Sequence, residues 1–350
     1  MAKKVAALPN NVGIRPHPHA GPRGHGLRHI LICLDHSAYA ETCLAYAASL
    51  SKSFGSALTL LHVLPPPTGL GPQATDMLAW EISRAEASAY LDRFQSAAAR
   101  ASDGGHVEAR LEQGRPAERI VAMARELEVD LVVLGSRDEA GASEWTLGRT
   151  AQQVLAAVPS SVFVVRAPPS ANLPSMKRIL VPLDGSLRTE SVLPIAARLG
   201  KTHRAELVLV HVVHEPVPTA VLCAPEDLEL ARELEQHLET HADRYLGGLR
   251  DALSHEGSTI HTRVARDADQ AQRLLRFSDE EGIYLIVLSA HGSTCNAGRP
   301  FGSIAAHLLT HSTVPLLVLQ DLPDFEFPRE GKTGPRAAPP PRATFPPEGA

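Results

Sequence analysis

Residues 178–186 read Arg-Ile-Leu-Val-Pro-Leu-Asp-Gly-Ser, and they repeat a stretch that occurs earlier in the chain. Residues 29–37 read His-Ile-Leu-Ile-Cys-Leu-Asp-His-Ser, so an apolar run ends in Leu-Asp at the same place in both. The agreement continues downstream at matched positions: His62 with His211, residues 131–135 with 285–289, and Gly148 with Gly302. A repeat this long exceeds the roughly 20–50 residues of a solenoid unit. The sequence therefore indicates a duplicated domain.

Composition limits the class of protein. The 350 residues suffice for two domains, and 44% hydrophobic with 4% aromatic residues predicts aliphatic cores. The formal net charge of -5 argues against a general nucleic-acid binder. The four cysteines form no C-x-x-C pair, which is typical of reduced thiols in a cytoplasmic protein. No apolar run approaches the roughly 20 residues of a membrane span. We expect a cytoplasmic protein with neither nucleic acid nor membrane as partner.

The changes in composition along the chain predict its division. We expect a disordered tail over 1–27, a first domain over 28–168, a linker over 169–175, a second domain over 176–321 and a disordered Pro-rich tail over 322–350. The histidines of the first tail fit no closed metal site, so only adventitious metal binding is expected there.

Apolar runs alternate with amphipathic stretches inside each copy. In the first copy, strands are predicted near 30–34, 57–63, 107–113, 130–135 and 162–166, with helices beginning at 37, 75, 116 and 148. Fully apolar strands that alternate with helices are typical of parallel strands covered on both faces. The predicted fold class is α/β, with two tandem doubly wound, Rossmann-like open sheets of five mainly parallel strands.

The carboxyl ends of such strands are where ligands bind. Asp35 and Asp184 close the first strand of each copy, although each could instead cap the turn or helix that follows. After strand four, the second copy has a loop that reads Ser289-x2-Gly292-x9-Gly302-Ser303 and leads into a helix. Glycines let backbone amides approach an anion, and a helix N-terminus adds donors. The pattern predicts phosphate binding without a Walker lysine.

Each copy resembles a universal stress protein domain, and the whole chain resembles the tandem members of that family. The family motif is G-x2-G-x9-G-[ST], from which the second copy departs only at Ser289. The first copy reads Gly135-x2-Asp138-x9-Gly148-Arg149, followed by Thr150, and lacks the second glycine and the hydroxyl residue. The resemblance implies an adenine nucleotide as ligand, namely ATP, alone or with Mg²⁺.

The resemblance also implies a role for each matched position. Adenine and ribose would contact Pro182, Asp184 and Val212, and phosphates would contact Gly292, Gly302, Ser303 and Ile304, with Ser289 at the first motif position. The matching residues of the first copy are Cys33, Asp35, Val63, Gly135, Asp138, Gly148, Arg149 and Thr150. A carboxylate at 138 beside a phosphate is unfavourable. Arg149 could offset it or occupy the anion site itself. We therefore expect ATP mainly in the second copy.

Several functions are compatible with these patterns. No catalytic triad or carboxylate cluster is evident, so at most slow ATP hydrolysis is expected. The leading interpretation is a stress-response, ATP-binding protein with a sensing or regulatory role toward an unidentified protein partner. One alternative is a scaffold that binds no nucleotide and acts through protein contacts; another is a nucleotide-using enzyme, since the same architecture hosts adenylate-forming chemistry.

Two structural expectations complete the analysis. The agreement of His62 with His211 favours a packing role for both, and the Glu-, Arg- and His-rich stretch 226–246 is interpreted as a solvated helix face. By resemblance to family dimers, the fifth strands (162–166 and 316–320) should pair edge to edge within the chain. Two chains are further expected to form a homodimer.

Overall fold

The computed structural model describes residues 26–66, 74–102, 104–135, 147–166, 176–215, 225–254, 259–294 and 299–320. The expected tails, apart from residues 26 and 27, and the predicted linker lie outside these ranges. The domain boundaries predicted from composition therefore remain expectations. In the described parts of the chain, no helix combines the length and the apolar character needed to cross a membrane.

Strands and helices alternate in the first copy as the sequence predicts. The elements are β1 (His29–Leu34), α1 (Ala38–Phe54), β2 (Ala57–Leu64), α2 (Ala74–Ala101), β3 (Val107–Gln113), α3 (Pro116–Glu126), β4 (Leu131–Gly135), α4 (Arg149–Ala157) and β5 (Ser161–Val165). Helix α3 begins at Pro116, where the missing N–H costs nothing because the first amides of a helix have no intrahelical partner. Gly55 ends α1 in the left-handed conformation, with φ of 70°.

The second copy repeats this order with one difference. Its elements are β6 (Arg178–Pro182), α5 (Leu187–Glu190), α6 (Leu193–His203), β7 (Glu206–His214), α7 (Pro225–Leu253), β8 (Ile260–Asp267), α8 (Gln270–Glu280), β9 (Leu285–Ser289), α9 (Ser303–His311) and β10 (Leu316–Leu319). The first helix is split into α5 and α6 because Pro194 cannot donate a helical hydrogen bond and is tolerated only in the first turn. Ser186 caps α5 by accepting a hydrogen bond from the Thr189 amide.

The strands of both copies form one continuous sheet of ten strands. Their order is β3-β2-β1-β4-β5-β10-β9-β6-β7-β8. Neighbours within a copy run parallel, whereas β5 and β10 pair antiparallel, with Val164 opposite Leu316 and Val162 opposite Val318. The predicted α/β class and the predicted pairing of the fifth strands are both confirmed. The two five-stranded sheets are thus halves of one larger sheet.

Helices cover both faces of this sheet and create two cores. One face is packed by α1, α2, α6 and α7, and the other by α3, α4, α8 and α9. Each core extends across the joint between the copies. Burial of one large aliphatic or aromatic side chain contributes about 1.5–3 kcal/mol, so two shared cores hold the copies together strongly. The strand order reverses between β1 and β4 and again between β6 and β9, which places a ligand crevice at each of these points.

Candidate nucleotide site

A cavity of about 640 Å³ opens at the carboxyl ends of β6, β7 and β9 in the second copy. Every residue predicted for the nucleotide site of this copy lines it. These residues are Pro182, Asp184, Val212, Ser289, Gly292, Gly302, Ser303 and Ile304. Positions that are 122 residues apart in the chain therefore meet in one cavity, as the topology requires.

Asp184 is the most heavily bonded residue of this cavity. Its Oδ1 accepts hydrogen bonds from the Ser186 amide (2.9 Å), the Ser186 hydroxyl (2.6 Å) and the Thr189 hydroxyl (2.9 Å). Its Oδ2 accepts one from the Ser293 amide at 2.7 Å. Partial burial opposes ionisation, but these hydrogen bonds outweigh it and hold the pKa of Asp184 below its ordinary value. The carboxylate is therefore charged at neutral pH, and Oδ2 retains room for one further donor.

Gly292 is required by this carboxylate. A Cβ placed on Gly292 would lie 2.4 Å from Oδ2 of Asp184, far inside normal contact distance. Its backbone does not adopt the left-handed conformation, so the need for glycine is one of space alone. The missing side chain lets the loop after β9 close onto the loop after β6 through Ser293.

The first turn of α9 forms a second wall of the cavity. Gly302 caps the helix, and its amide donates to the Ala290 carbonyl at 2.7 Å. A Cβ on Gly302 would stand 3.4 Å from that carbonyl, which is close but tolerable. Ser303 is exposed and Ile304 is half-buried, and both line the cavity. The first amides of a helix have no intrahelical acceptor and carry the positive end of its dipole, so this wall suits an anion.

Ser289 occupies the first glycine position of the motif without blocking the cavity. The side chain is buried, and its hydroxyl donates to the His291 carbonyl at 2.8 Å within the same loop. The hydroxyl group is thus hydrogen-bonded within the turn that follows β9. A serine at this position is compatible with an open cavity.

Helices α7 and α8 add lining residues that the sequence did not reveal, among them His241, Tyr245 and Gln270. Gln270 donates to the Val212 carbonyl at 2.7 Å, and the Tyr245 hydroxyl donates to Glu190 at 3.0 Å. Burial and the neighbouring Glu190 carboxylate raise the pKa of Tyr245, which keeps the phenol protonated. The charged face of α7 is largely solvated, as the sequence predicts, with Arg232, Glu233 and Arg244 exposed. The opposite side of the same helix places Tyr245 at the cavity and buries Leu246 fully.

The charges around the cavity are unusual for a phosphate site. Among the described lining residues there is neither lysine nor arginine, and Asp184 is the carboxylate. Four histidines also line it: His211, His214, His241 and His291. The donors for an anion are therefore backbone amides of the loop and of α9 rather than fixed side-chain cations.

Comparison with known proteins gives the family. A sequence model of the universal stress protein family matches residues 26–166 and again residues 176–320. The chain belongs to the universal stress protein family. It is a tandem member with two family domains, and stress response is the function associated with that family.

Relatives of both lengths are similar to this universal stress protein. One from Mycolicibacterium smegmatis is 24% identical over 300 residues, which covers 83% of this chain and 96% of the relative. One from Thermus aquaticus, encoded in the QAH/OAS sulfhydrylase 3′ region, is 32% identical over 139 residues, covering 39% of this chain and 97% of the relative. A crystal structure of a universal stress protein from Archaeoglobus fulgidus has a TM-score of 0.60 at 18% identity and covers 85% of this chain and 97% of its own. That similarity supports the fold.

The first copy of this universal stress protein has a smaller cavity, of about 350 Å³. Its described lining includes five of the predicted residues, namely Cys33, Asp35, Val63, Gly135 and Thr150. Gly148 and Arg149 are exposed at the start of α4 and do not line it. Asp138 lies outside the described residues. The predicted second site is thus only partly assembled among the described residues.

His36 accounts for part of the difference between the copies. It adopts a left-handed conformation with φ of 64°, where the second copy has Gly185 with φ of 82°. The His36 ring stacks on Tyr90 with 4.0 Å between ring centroids. Tyr90 occupies in α2 the place of Tyr245 in α7, since each precedes a buried leucine; Tyr245 lines the larger cavity, whereas Tyr90 is not among the described residues that line the smaller one. A histidine therefore covers the tyrosine face that is open in the second copy.

The histidines at the matched position of β2 and β7 serve the fold in both copies. His62 Nδ1 donates to the Leu34 carbonyl at 2.8 Å, and His211 Nδ1 donates to the Leu183 carbonyl at 2.9 Å. Burial lowers the pKa of both imidazoles. Both histidines are thus hydrogen-bonded within the fold, and each also lines the cavity of its own copy, so the packing role stays a prediction.

The described cysteines and histidines form no evident reactive or metal centre. Burial raises the pKa of Cys43 to about 12 and also raises that of Cys33, so both thiols are protonated at neutral pH. No group of three or more metal-ligating side chains occurs in the described parts of the chain. Cys295 and the histidines at 17, 19 and 25 lie outside them.

Proposed function

We propose that this universal stress protein binds ATP in the cavity of its second copy and uses the bound nucleotide as a signal in stress response. One observation carries the proposal: all residues matched to the family's nucleotide motif line a single cavity together with the first turn of α9. Its volume, about 640 Å³, falls within the range of about 300–1,000 Å³ that is usual for small-molecule sites.

The cavity offers suitable groups to both parts of a nucleotide. The first amides of α9, the Ser303 hydroxyl and the glycine-flanked loop supply donors for phosphate oxygens. Asp184, which is ionised and can accept one more hydrogen bond at Oδ2, suits a ribose hydroxyl. Apolar groups such as Val212 and Leu274 suit a base. A Mg²⁺ ion would reach this site with the phosphates rather than through a protein cage.

We propose further that the two copies are unequal and that ATP occupies the second. The first copy's cavity has about half the volume, its tyrosine is covered by His36, and Arg149 is exposed and not among the residues that line the cavity. The activity that we propose for this cavity is binding, with at most slow hydrolysis.

Titration calorimetry with ATP tests this proposal. We expect one ATP per wild-type chain, loss of binding in Asp184→Ala, and retention in the matched variant Asp35→Ala. Mass analysis of nucleotide released by denaturing the purified protein would identify the ligand independently. Two bound nucleotides per chain, or equal loss in both variants, would contradict the asymmetry.

The alternative function is a scaffold that acts through protein contacts. The observation that favours a scaffold is the absence of lysine and arginine from the described lining of the cavity. A triphosphate bound there would be repelled by the negative charge of Asp184, and no side-chain cation of the described lining would offset that repulsion. Calorimetry decides between the two, because a scaffold would give no heat of binding with ATP in the presence or absence of Mg²⁺.

A further inference from the structure

Arg166 crosses from the first copy into the second. It follows β5 directly and is 1% exposed, the largest of the fully buried side chains. Its guanidinium donates hydrogen bonds to the carbonyls of Leu309 and Ser312. Leu309 lies in the last turn of α9 and Ser312 is the residue that ends the helix. The antiparallel pairing of β5 with β10 brings this contact about, because a residue beyond Val165 passes the turn that joins α9 to β10.

The contact is electrostatically matched. The last carbonyls of a helix lack intrahelical donors and carry the negative end of the helix dipole, so a cation is favourable there. Burial lowers the pKa of Arg166 to about 10, which leaves it charged at neutral pH. No described carboxylate forms an ion pair with it, and its Nε has no hydrogen-bond partner among the described residues. The charge of Arg166 is therefore compensated mainly by the end of α9.

Among the described residues, Gln320 makes no matching contact with the end of α4. Gln320 follows β10 as Arg166 follows β5, but its backbone amide donates to the Ser161 hydroxyl at 3.1 Å, and its side chain donates to the Pro300 carbonyl of its own copy at 3.4 Å. Among the described residues, the end of α4 receives a cation from its own copy, through Arg125 and the Ala157 carbonyl. Helices α1 and α6 also bond across the joint, where Arg198 donates to the Ser53 carbonyl at 2.6 Å. Of α4 and α9, however, α9 is the one whose C-terminal end receives a cation from the other copy among the described residues.

We propose that Arg166 is a positioning residue for the nucleotide site of the second copy; this inference rests on the function proposed above. Helix α9 has nine residues, which is about 13.5 Å at 1.5 Å per residue, so a shift at its end is transmitted to its first turn. Arg166 holds the far end while the Gly302–Ala290 hydrogen bond holds the near end. The first copy thereby sets the place of the phosphate donors in the second.

The test compares Arg166→Met with Arg166→Lys and with a matched control in the full chain. Methionine keeps the length but loses the charge and the donors. We expect Arg166→Met to weaken ATP binding about tenfold, the loss expected when one hydrogen bond to a charged group is lengthened. Hydrogen exchange of the hydrogen-bonded amides of α9, beginning with Ala306, which donates to the Gly302 carbonyl, should become faster. Lysine should restore part of both because it keeps a cation at the carbonyls.

Phe163→Leu is the control, since Phe163 lies on the same strand and pairs with β10 but packs in the core on the opposite face. It should lower the free energy of unfolding without changing ATP affinity or exchange in α9. Wild-type affinity and exchange in Arg166→Met would overturn the inference, as would an equal loss in Phe163→Leu. If wild type binds no ATP, the proposed function fails, and the exchange rates of α9 still decide whether Arg166 positions this helix.

Discussion

Replacing Gly292 by alanine should destabilise this protein through a single clash. The new Cβ would lie 2.4 Å from Oδ2 of Asp184, whereas ordinary contacts begin near 3.4 Å, so the carboxylate must retreat by roughly 1 Å. Its 2.7 Å hydrogen bond from the Ser293 amide would then break. A hydrogen bond to a charged group contributes about 1.5–3 kcal/mol. We therefore expect the free energy of unfolding to fall by about 2 kcal/mol.

Urea denaturation followed by circular dichroism measures this change. Gly148→Ala is the matched control, because no atom of the described residues lies within 4 Å of its added Cβ, and it should stay within about 0.5 kcal/mol of wild type. A double-mutant cycle isolates the cause. In an Asp184→Ala background the clashing carboxylate is gone, so Gly292→Ala should cost much less there. An equal cost in both backgrounds would refute the reasoning.

Two further predictions concern the same cavity. Gly302→Val should abolish ATP binding in calorimetry while the far-ultraviolet circular dichroism spectrum stays native. The branched side chain would crowd the Ala290 carbonyl, which lies 3.4 Å from the Cβ position, and would block the approach of the backbone to phosphate. Undiminished ATP affinity would contradict this prediction. Because the pKa of Asp184 is lower in the folded chain than in the unfolded chain, its stabilising effect is complete above the unfolded value of about 4 and is lost as pH falls through the lower folded value. The free energy of unfolding of wild type should thus exceed that of Asp184→Asn at neutral pH and approach it below about pH 4, and a pH-independent difference would argue against this role.

The sequence predicts the fold well because the same pattern of strands and helices can be identified in both copies and compared between them. Apolar runs between helical stretches are sufficient to place the central strands, whereas the outer strands β3 and β8 mix apolar and charged residues. The edge pairing of 162–166 with 316–320 is confirmed. The sequence pattern does not predict the break between α5 and α6, although Pro194 stands at it. From sequence alone, a proline near the start of a new helix cannot be distinguished from a proline inside one continuous helix.

The sequence predicts the site residues that belong to short local motifs, and it does not predict the site residues that are placed by tertiary packing. The loops after β6 and β9 carry their signal in fixed spacing, so their residues were found. Tyr245 and Gln270 belong to helices whose cavity-facing residues depend on how α7 and α8 pack against the sheet. Arg166 resembles an ordinary polar residue after a strand, and its burial arises only when the copies join. Local periodicity contains none of this information.

Because both halves belong to one polypeptide, the two sides of the β5–β10 joint can differ in sequence. In a homodimer with twofold symmetry the same patch meets itself, so any residue introduced on one side appears on the other as well. Here the joint is intramolecular, with an effective concentration in the millimolar range for short linkers, and it is not lost on dilution. Arg166 and Gln320 stand at equivalent positions of the two copies but are different residues. In an isologous interface of a homodimer, the two positions would have to carry the same residue. Duplication thus frees one half to specialise as support for the other.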